Sequence, residues 1–311
     1  MHTQNLEPMS QIHSDSITDN TPLPLTVIMI SRDEAHNIVP VTENLAGFAA
    51  QILLVDSYSI DATVSLALER GVHVVQRPFK NFGDQWNFAV SGSLPVDQPW
   101  SMKLDPDERL TDELKDQIRA AIFENMADAI SFPRRLWFMG RPLPVRQNVL
   151  RIWRSGTCRF TDSMVNEHPV VEGRHLHLKA ELEHHDSPTL HHWYDKQNRY
   201  STAEANIAFT GHGKTALPLL FGNRLERRAW VKMAYNYLPF RHFLMMLYCL
   251  VVLGAWRGGR AGFVWSRMRG EIFRMRALKR MEMQWKGAAY NVPPRANGKP
   301  HPGVTQFEPD S

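Results

Sequence analysis

The sequence contains few cysteines, no long uninterrupted hydrophobic segment and no glycine-rich phosphate loop. Its 311 residues include two cysteines, Cys158 and Cys249, and neither belongs to a Cys-x-x-Cys pair. This excludes a disulfide framework and a zinc ribbon, and a reducing cytosol is the expected compartment. The longest apolar run, residues 243–256, has 14 residues and is shorter than the ~20 that a membrane-spanning helix needs.

The formal net charge of +4 is unevenly distributed along the chain. Residues 222–286 carry 14 Lys and Arg against three Asp and Glu, whereas residues 1–221 carry 20 against 27. A localised basic surface of this kind suits lipid headgroups or another polyanion. The first 20 residues are polar and lack the basic and apolar regions of a signal peptide, so we expect a disordered leader over residues 1–22.

Strand and helix patterns alternate along the first half of the chain. Apolar runs predict strands over 25–30, 51–55, 72–76 and 100–104, separated and followed by helices over 37–48, 60–70, 82–91 and 111–125. This order is typical of an α/β fold with a mostly parallel sheet, in which ligands bind at the carboxyl ends of the strands. Weaker patterns predict strands over 129–133, 149–153 and 176–178 and a helix over 191–209.

Acidic residues follow several of the predicted strands. Asp105 and Asp107, one residue apart, come directly after the strand over 100–104, and Glu34 and Asp56 follow the first two strands. Because strand side chains alternate, Asp105 and Asp107 can project to one side and hold Mg²⁺ or Mn²⁺ together with substrate phosphates. The alternative is an Asp-Pro turn leading into a helix with Thr111 as its N-cap.

Four motifs in order carry a resemblance to a known family. They occupy residues 30–38 (ISRDEAHNI), 55–63 (VDSYSIDAT), 82–89 (FGDQWNFA) and 104–108 (LDPDE), and they continue through 165–168 (VNEH) and 198–201 (NRYS). Over roughly residues 25–210 the sequence resembles the family 2 glycosyltransferases. More narrowly, it is similar to the bacterial branch that includes lipopolysaccharide-core β-glucosyltransferases.

The resemblance implies a GT-A-like, mostly parallel sheet flanked by helices and an inverting transfer from a nucleotide-sugar, with Mg²⁺ or Mn²⁺ as cofactor. By position in the motifs, the donor nucleotide would be bound by Glu34, Asp56, Gln85, Asn87 and Asp105. The metal ligands would be Asp105, Asp107 and His184. The acceptor hydroxyl must lose a proton, and Glu167 would be the base, with Asp162 and Glu172 as nearby alternatives.

The loop after the second predicted strand departs from the family's pattern. Where the family has Gly-Ser-Thr after the second strand, this chain has Tyr58-Ser59-Ile60. A glycine there would permit a positive φ, which tyrosine adopts less readily.

The histidines at 184, 185, 191 and 192 invite a zinc interpretation, but their spacing fits no firm zinc signature.

The C-terminal third alternates basic with apolar and aromatic residues. This pattern is typical of a helical region that associates with an anionic membrane surface, and the alternative is a core helix with solvated arginines. The predicted domains are therefore the leader at 1–22, a glycosyltransferase domain at 23–221, a basic membrane-associating region at 222–287 and a disordered tail at 288–311.

The sequence thus predicts a cytoplasmic enzyme, peripheral on the inner face of the cell membrane. It would transfer one sugar, a hexose such as glucose, from a UDP-linked donor to a lipid-linked or core-oligosaccharide acceptor in cell-envelope or exopolysaccharide biosynthesis. An acceptor side rich in arginine would suit an acidic glycan; its residues are Arg134, Arg135, Arg141, Arg146, Arg151 and Arg154. The alternatives are a nucleotidyltransferase on a similar sheet and a non-catalytic polyanion-binding protein. No nucleic-acid partner is expected, and the sequence gives no oligomeric state.

Overall fold

A computed structural model describes residues 21–161, 168–211, 219–222, 224–235, 238, 240–291 and 296–308. The strands are β1 (Leu23–Ser31), β2 (Ala49–Asp56), β3 (His73–Gln76), β4 (Trp100–Lys103), β5 (Glu108–Leu110), β6 (Ala129–Phe138), β7 (Arg141–Arg154), β8 (Arg159–Phe160), β9 (Pro169–Val170), β10 (His175–His177), β11 (Leu182–His184) and β12 (Thr305–Gln306). The α-helices are α1 (Ala35–Leu45), α2 (Thr63–Glu69), α3 (Phe82–Val90), α4 (Asp112–Phe123), α5 (Leu190–Thr210), α6 (Arg224–Tyr235), α7 (Arg241–Leu247) and α8 (Gly259–Lys286).

The main sheet is mixed and mostly parallel. Its strand order is β12-β3-β2-β1-β4-β7-β6-β11-β5, with β10 also pairing with β6. Strands β3, β2, β1 and β4 run parallel to one another, whereas β7 is antiparallel to both β4 and β6. The helix-flanked α/β sheet that the sequence predicts is therefore confirmed, with an antiparallel extension beyond β4.

Strand β1 is buried on both faces, which explains its nearly continuous apolar sequence. Val27 and Met29 belong to a core that includes Ile38 of α1 and Leu114 of α4. Ile28, between them, belongs to the opposite core with Trp86 of α3. Because helices cover both faces of the sheet, the carboxyl ends of its central strands form its accessible edge.

The antiparallel extension is larger than the sequence predicts. Strands β6 and β7 form a long hairpin, where short strands over 129–133 and 149–153 were expected among loops. The chain reverses at Met139 and Gly140, whose φ angles are +53° and +69°. Two consecutive positive φ values are those of a type I′ turn, whose twist matches that of paired strands. Because this hairpin contains arginines and prolines, the apolar pattern of the sequence predicted only short parts of its strands.

The apolar run over residues 243–256 does not form one helix. It contains α7, a π-helical turn at Tyr248–Val252 and a break at Gly254, whose φ is +71°. No single described helix is long and apolar enough to cross a membrane; the pair Arg241–Val252 and Ala255–Lys286, bent by 74°, passes that length and composition test only when combined.

One side of this region is packed against the rest of the protein. Cys249, Trp265 and Met268 are buried in a small core with Phe138 and Leu143 of the β6–β7 hairpin. The alternative interpretation, a packed C-terminal helix, is therefore correct for that side. The opposite side remains exposed and apolar, as described below.

Residues 296–308 lie along the edge of the sheet. Thr305–Gln306 pairs in parallel with β3, and the Phe307 N–H donates to the carbonyl oxygen of Gln76 at 2.8 Å. The Phe307 ring meets Phe88 edge to face, with 5.0 Å between ring centres. These residues are ordered where the sequence predicts a disordered tail, because the edge of β3 offers unpaired backbone groups. The predicted leader at 1–22 lies almost wholly outside the described residues.

Candidate active site

The acidic segment after β4 forms a turn instead of continuing the strand. Strand β4 ends at Lys103, and the Glu108 N–H donates to the Asp105 carbonyl oxygen at 2.9 Å. Helix α4 then begins with its N-terminus capped by the Thr111 hydroxyl. The turn-and-cap alternative is therefore correct, and it coexists with a polar site around Asp107.

Strand β11 brings a histidine to Asp107. It pairs antiparallel with β5, which places His184 opposite Glu108, and the His185 N–H donates to the Asp107 carbonyl oxygen at 2.8 Å. The His184 Nε2 atom lies 3.3 Å from Asp107 Oδ2. Asp186 follows two residues later, and ligand atoms of Asp107, His184 and Asp186 all lie within 4.8 Å of one another.

Helix α5 adds a lysine to this group. The Lys196 ammonium lies 2.9 Å from Asp186 Oδ1 and 3.3 Å from Asp107 Oδ2. Burial alone would lower the pKa of Lys196, but the carboxylates of Asp107 and Asp186 raise it well above its usual value. Burial alone would raise the pKa of Asp107, but His184 and Lys196 hold it well below its usual value. Asp107 and Lys196 are therefore both charged at neutral pH.

The residues of this cluster fit a divalent cation. Two carboxylates and one imidazole converge from separate elements, and oxygen-rich sites of this kind suit Mg²⁺ or Mn²⁺ with room for waters and phosphate. The predicted ligands Asp107 and His184 are thus brought together. Asp186 joins them, although the sequence did not single it out as a ligand.

Asp105, the third predicted ligand, does not join this cluster. Its carboxylate lies 3.0 Å from the Arg151 guanidinium, which also pairs with the fully buried Glu108. Burial would raise the pKa of Asp105, but Arg151 and Lys103 hold it below its usual value. The strand alternation that predicted a shared projection fails because the turn at Pro106 intervenes between the two aspartates.

Glu34 lies on the same side of the sheet, just before α1. Its Oε2 accepts a hydrogen bond from Asn37 Nδ2 at 2.8 Å. Burial, followed by the nearby charge of Asp107, raises the pKa of Glu34 to about 7. A protonated carboxyl group can donate as well as accept hydrogen bonds.

Asp56 is fully buried at the end of β2. Its carboxylate accepts hydrogen bonds from Ser31 Oγ at 3.0 Å, Gln76 Nε2 at 2.9 Å, Ser59 N–H at 2.9 Å and Ser59 Oγ at 2.5 Å. Tyr58 adopts a φ of +54°, so the loop has the left-handed geometry that a glycine would favour. Asp56 therefore shapes this loop and does not present a free carboxylate.

Gln85 and Asn87 also make internal contacts. Gln85 is fully buried, and its Oε1 accepts a hydrogen bond from Arg77 Nη1 at 3.1 Å. Asn87 holds the backbone of Phe160 from both sides, accepting from its N–H at 2.7 Å and donating to its carbonyl at 3.0 Å. The structure therefore places Asn87 against β8, the strand that leads toward the segment containing Glu167.

The proposed base, Glu167, and its alternative Asp162 lie outside the described residues. On either side of that segment, the Thr161 N–H donates to the His168 carbonyl at 3.1 Å, and the His168 N–H donates to Thr161 Oγ1 at 3.0 Å. Glu172, the other alternative, is exposed beyond β9.

Most of the predicted acceptor-side arginines are paired within the chain. Arg134 and Arg151 contact Glu108, and Arg135 and Arg146 contact Glu181. Their charge is therefore largely used to stabilise the extended hairpin and the acidic turn. These four arginines therefore do not form the free acceptor surface that the sequence predicts.

Among the described residues, His185, His191 and His192 do not belong to this group of potential ligands. His185 stacks on Trp137 with 4.5 Å between ring centres, and His192 meets His36 at 5.4 Å. The sequence reasoning missed Lys196 and Asp186. The stretch Glu183-His184-His185-Asp186 was a usable signal for Asp186, whereas Lys196 carries no signal in the sequence.

Known proteins of similar sequence provide information that is independent of this geometry. No protein-family model matches the chain. The lipopolysaccharide core biosynthesis glycosyltransferase LpsC of Rhizobium meliloti (strain 1021) is 28% identical over 265 residues, covering 81% of this chain and 89% of LpsC. The sequence is similar to bacterial glycosyltransferases.

Further matches cover short stretches of curated proteins or come from solved structures. An uncharacterized glycosyltransferase of Rickettsia felis is 32% identical over 94 residues, covering 30% of this chain and 32% of that protein. This match and one in Rickettsia conorii span about a third of those relatives. Among solved structures, S. aureus TarS 1-349 aligns with a TM-score of 0.41 and 15% identity, covering 88% of this chain and 95% of that chain. An alignment at this level says nothing about ligands.

Proposed function

We propose that this protein is an inverting glycosyltransferase. It moves one hexose, such as glucose, from a UDP-linked donor to a lipid-linked or core-oligosaccharide acceptor in cell-envelope polysaccharide biosynthesis. The observation that carries the proposal is the buried group Asp107, His184, Asp186 and Lys196 at the open edge of the parallel strands. Similarity to LpsC over most of the chain supports the class of acceptor.

The donor side of the site suits a leaving nucleoside diphosphate. As the bond to the anomeric carbon breaks, negative charge accumulates on the diphosphate, and preorganised cationic groups stabilise it. Asp107, His184 and Asp186 would hold a divalent metal, which neutralises phosphate charge when bound. Lys196 adds a second positive charge at the same place.

The acceptor side requires a base on the opposite face of the sugar. The motif resemblance assigns this role to Glu167, which would take the proton of the attacking hydroxyl. Asn87 would position the segment that carries it, because Asn87 fixes the backbone of Phe160 on the strand before it. Glu34, with its raised pKa, would contact the nucleoside of the donor.

Transfer of a labelled sugar tests the function. UDP-glucose, UDP-galactose and GDP-mannose, each labelled in the sugar, are incubated with the protein, Mn²⁺ and truncated lipopolysaccharide cores. We expect label from a UDP-hexose to enter the glycan with the anomeric configuration inverted, as read from the proton coupling constant.

The Asp107→Asn variant should reduce this transfer by ~100-fold or more, because it weakens the charge-stabilising cluster. Asp116→Asn is the matched control, since Asp116 is exposed on α4, and it should retain full activity. Transfer that is unaffected by Asp107→Asn, or a product with retained configuration, would contradict the proposal.

We also propose that the exposed side of the C-terminal region binds an anionic membrane surface. Large apolar side chains are exposed there on neighbouring turns; they include Phe243, Tyr248, Val251, Val252, Trp256 and Phe263. Arg257, Arg260 and Arg267 lie among them. Apolar side chains that enter the headgroup region, bordered by arginines that meet lipid phosphates, are the two contributions that interfacial helices combine.

Sedimentation with vesicles tests this location. The protein should sediment with vesicles containing phosphatidylglycerol, much less with pure phosphatidylcholine, and progressively less as NaCl rises from 0.05 to 0.5 M. Replacing Val251 and Val252 by serine should weaken binding by several-fold without changing the melting temperature, because both are exposed. Equal binding to neutral and anionic vesicles, or a double variant that binds as well as the wild type, would refute the proposal.

A further inference from the structure

The ammonium of Lys196 lies within the metal-ligand cluster. Its nitrogen is close to three oxygens: Asp186 Oδ1 at 2.9 Å, the Asp186 carbonyl at 3.2 Å and Asp107 Oδ2 at 3.3 Å. The side chain is 19% exposed, and those of Asp107 and Asp186 are 11% and 14% exposed. Lys196 thus contacts the same carboxylates that a divalent cation would use.

The Asp107 carboxylate has a second partner at the oxygen that Lys196 contacts. His184 Nε2 lies 3.3 Å from Asp107 Oδ2, the same oxygen that Lys196 contacts. The two carboxylates therefore share one ammonium, which cancels one of their two negative charges when Lys196 is in place. Such a cluster attracts a free divalent cation weakly, because the cation would enter beside an existing positive charge in a poorly hydrated site.

We propose that Lys196 is an internal cation that competes with the divalent metal for Asp107 and Asp186. The free protein would then bind metal weakly, and the diphosphate of the donor would tighten metal binding by supplying further oxygen ligands and negative charge. Metal and nucleotide would enter the site together. The second half of this inference rests on the proposed function, because it requires a nucleoside diphosphate donor.

A purely structural Lys196 would behave differently. If the lysine served only to attach α5 to the acidic turn, its removal would lower stability and leave the affinity for metal unchanged or reduced. Competition predicts the opposite change in metal affinity, since removing the ammonium leaves two buried carboxylates without a cation. Metal affinity therefore distinguishes the two roles.

The test is a titration of the full-length protein with Mn²⁺ alone, followed by the electron paramagnetic resonance signal of free Mn²⁺. We expect Lys196→Met to bind Mn²⁺ at least ~10-fold more tightly than the wild type, which is a change of ~1.4 kcal/mol in binding free energy. Lys179→Met is the matched control, because Lys179 is exposed and lies in the loop before β11, not on α5 beside Asp107 and Asp186; it should match the wild type. A folded Lys196→Met protein with unchanged or weaker Mn²⁺ binding would overturn the proposal.

A second variant and a second titration keep the test decisive. Lys196→Gln retains a polar side chain that can donate to Asp186, so it serves if the methionine variant does not fold, and the same tightening is expected. Repeating the titrations with UDP should tighten Mn²⁺ binding by ~10-fold or more in the wild type and by less in either variant.

The two titrations also separate the two proposals. Tighter Mn²⁺ binding in the Lys196 variants without any effect of UDP supports the competition and refutes the UDP donor. An effect of UDP that is equal in wild type and variants supports the donor and overturns the competition.

Discussion

Glu34 is the residue through which pH should act most directly on the site. Burial raises its pKa from the ordinary value near 4.5 to about 7, so the folded protein binds this proton more tightly than the unfolded chain. The contribution of the group to stability is therefore fully present below pH 4.5 and is lost as the pH rises through 7. Above pH 7 the folded protein holds the Glu34 carboxylate buried and charged near Asp107, which lowers the free energy of unfolding.

Glu34→Gln should remove this dependence. The variant should match the wild type at pH 5 and be more stable by about 1–3 kcal/mol at pH 8, where the wild type carries the buried charge. Urea denaturation of both proteins at the two pH values measures the difference. A stability difference that is the same at pH 5 and pH 8 would show that Glu34 titrates normally.

Arg151 is the residue on which the acidic turn depends. Its guanidinium is buried and contacts both Asp105 and the fully buried Glu108. Arg151→Met should destabilise the protein by about 3–5 kcal/mol, because removing one partner of a buried ion pair leaves the other charge uncompensated. Denaturant unfolding gives the value.

Arg174→Met is the control for this prediction, because the Arg174–Asp128 pair lies at the surface, where ion pairs stabilise little. It should have a much smaller effect on unfolding. Equal effects of the two substitutions would mean that Arg151 does not stabilise the turn as described.

At the scale of elements, the tail over 296–308 closes the edge of the sheet beside the loop that contains Tyr58 and Ser59. The Gly298 N–H donates to the Tyr58 carbonyl at 2.8 Å, and a Cβ added at Gly298 would overlap the carbonyl oxygen of Ser59. The neighbouring backbone cannot move away without disturbing the hydrogen bonds of Asp56 to Ser59. Docking of the tail therefore requires glycine at this position.

Gly298→Ala should release the tail. Amide hydrogen exchange at Phe307, which donates to Gln76, should rise by ~10-fold or more, and the protein should lose about 1–3 kcal/mol of stability. Gly303→Ala is the control, since a Cβ there meets His301 only at ordinary contact distance, and exchange should not change. Unchanged protection of Phe307 in Gly298→Ala would show that the tail does not depend on this contact.

The sequence predicts some elements well because their patterns are local. Strands β1 to β4 are recognisable from apolar runs, and the helix predicted over 191–209 corresponds to α5. The β6–β7 hairpin is hidden, because its strands contain charged residues whose partners, such as Glu181, come from distant parts of the chain. Strands β5 and β11 have three residues each, which is too short for any pattern.

The same reasoning explains the site. Asp107 and His184 are identifiable from motifs, but their meeting depends on the pairing of β5 with β11. Asp105 departs from expectation because the turn at Pro106 breaks strand alternation. Lys196 lies 89 residues from Asp107 in the chain, and only the packed position of α5 shows that its ammonium reaches the cluster.

At the scale of the whole molecule, charge and burial distinguish two regions. The edge of the sheet carries the Asp107 cluster of the proposed donor site, and the C-terminal region presents apolar and basic side chains away from its own small core. An enzyme that glycosylates a lipid-linked acceptor needs both parts, since its donor is dissolved in water and its acceptor lies at a membrane. The proposed donor site is the part on which the account depends most.

The most direct measurement is thermal unfolding of the full-length protein with UDP, GDP and dTDP, each with and without Mn²⁺. A ligand that binds only the folded state raises the melting temperature by mass action. We expect a rise with UDP that requires Mn²⁺, is absent in Asp107→Asn and persists in Asp116→Asn. A folded protein whose melting temperature responds to none of the nucleotides would contradict the donor site and favour a non-catalytic polyanion-binding protein.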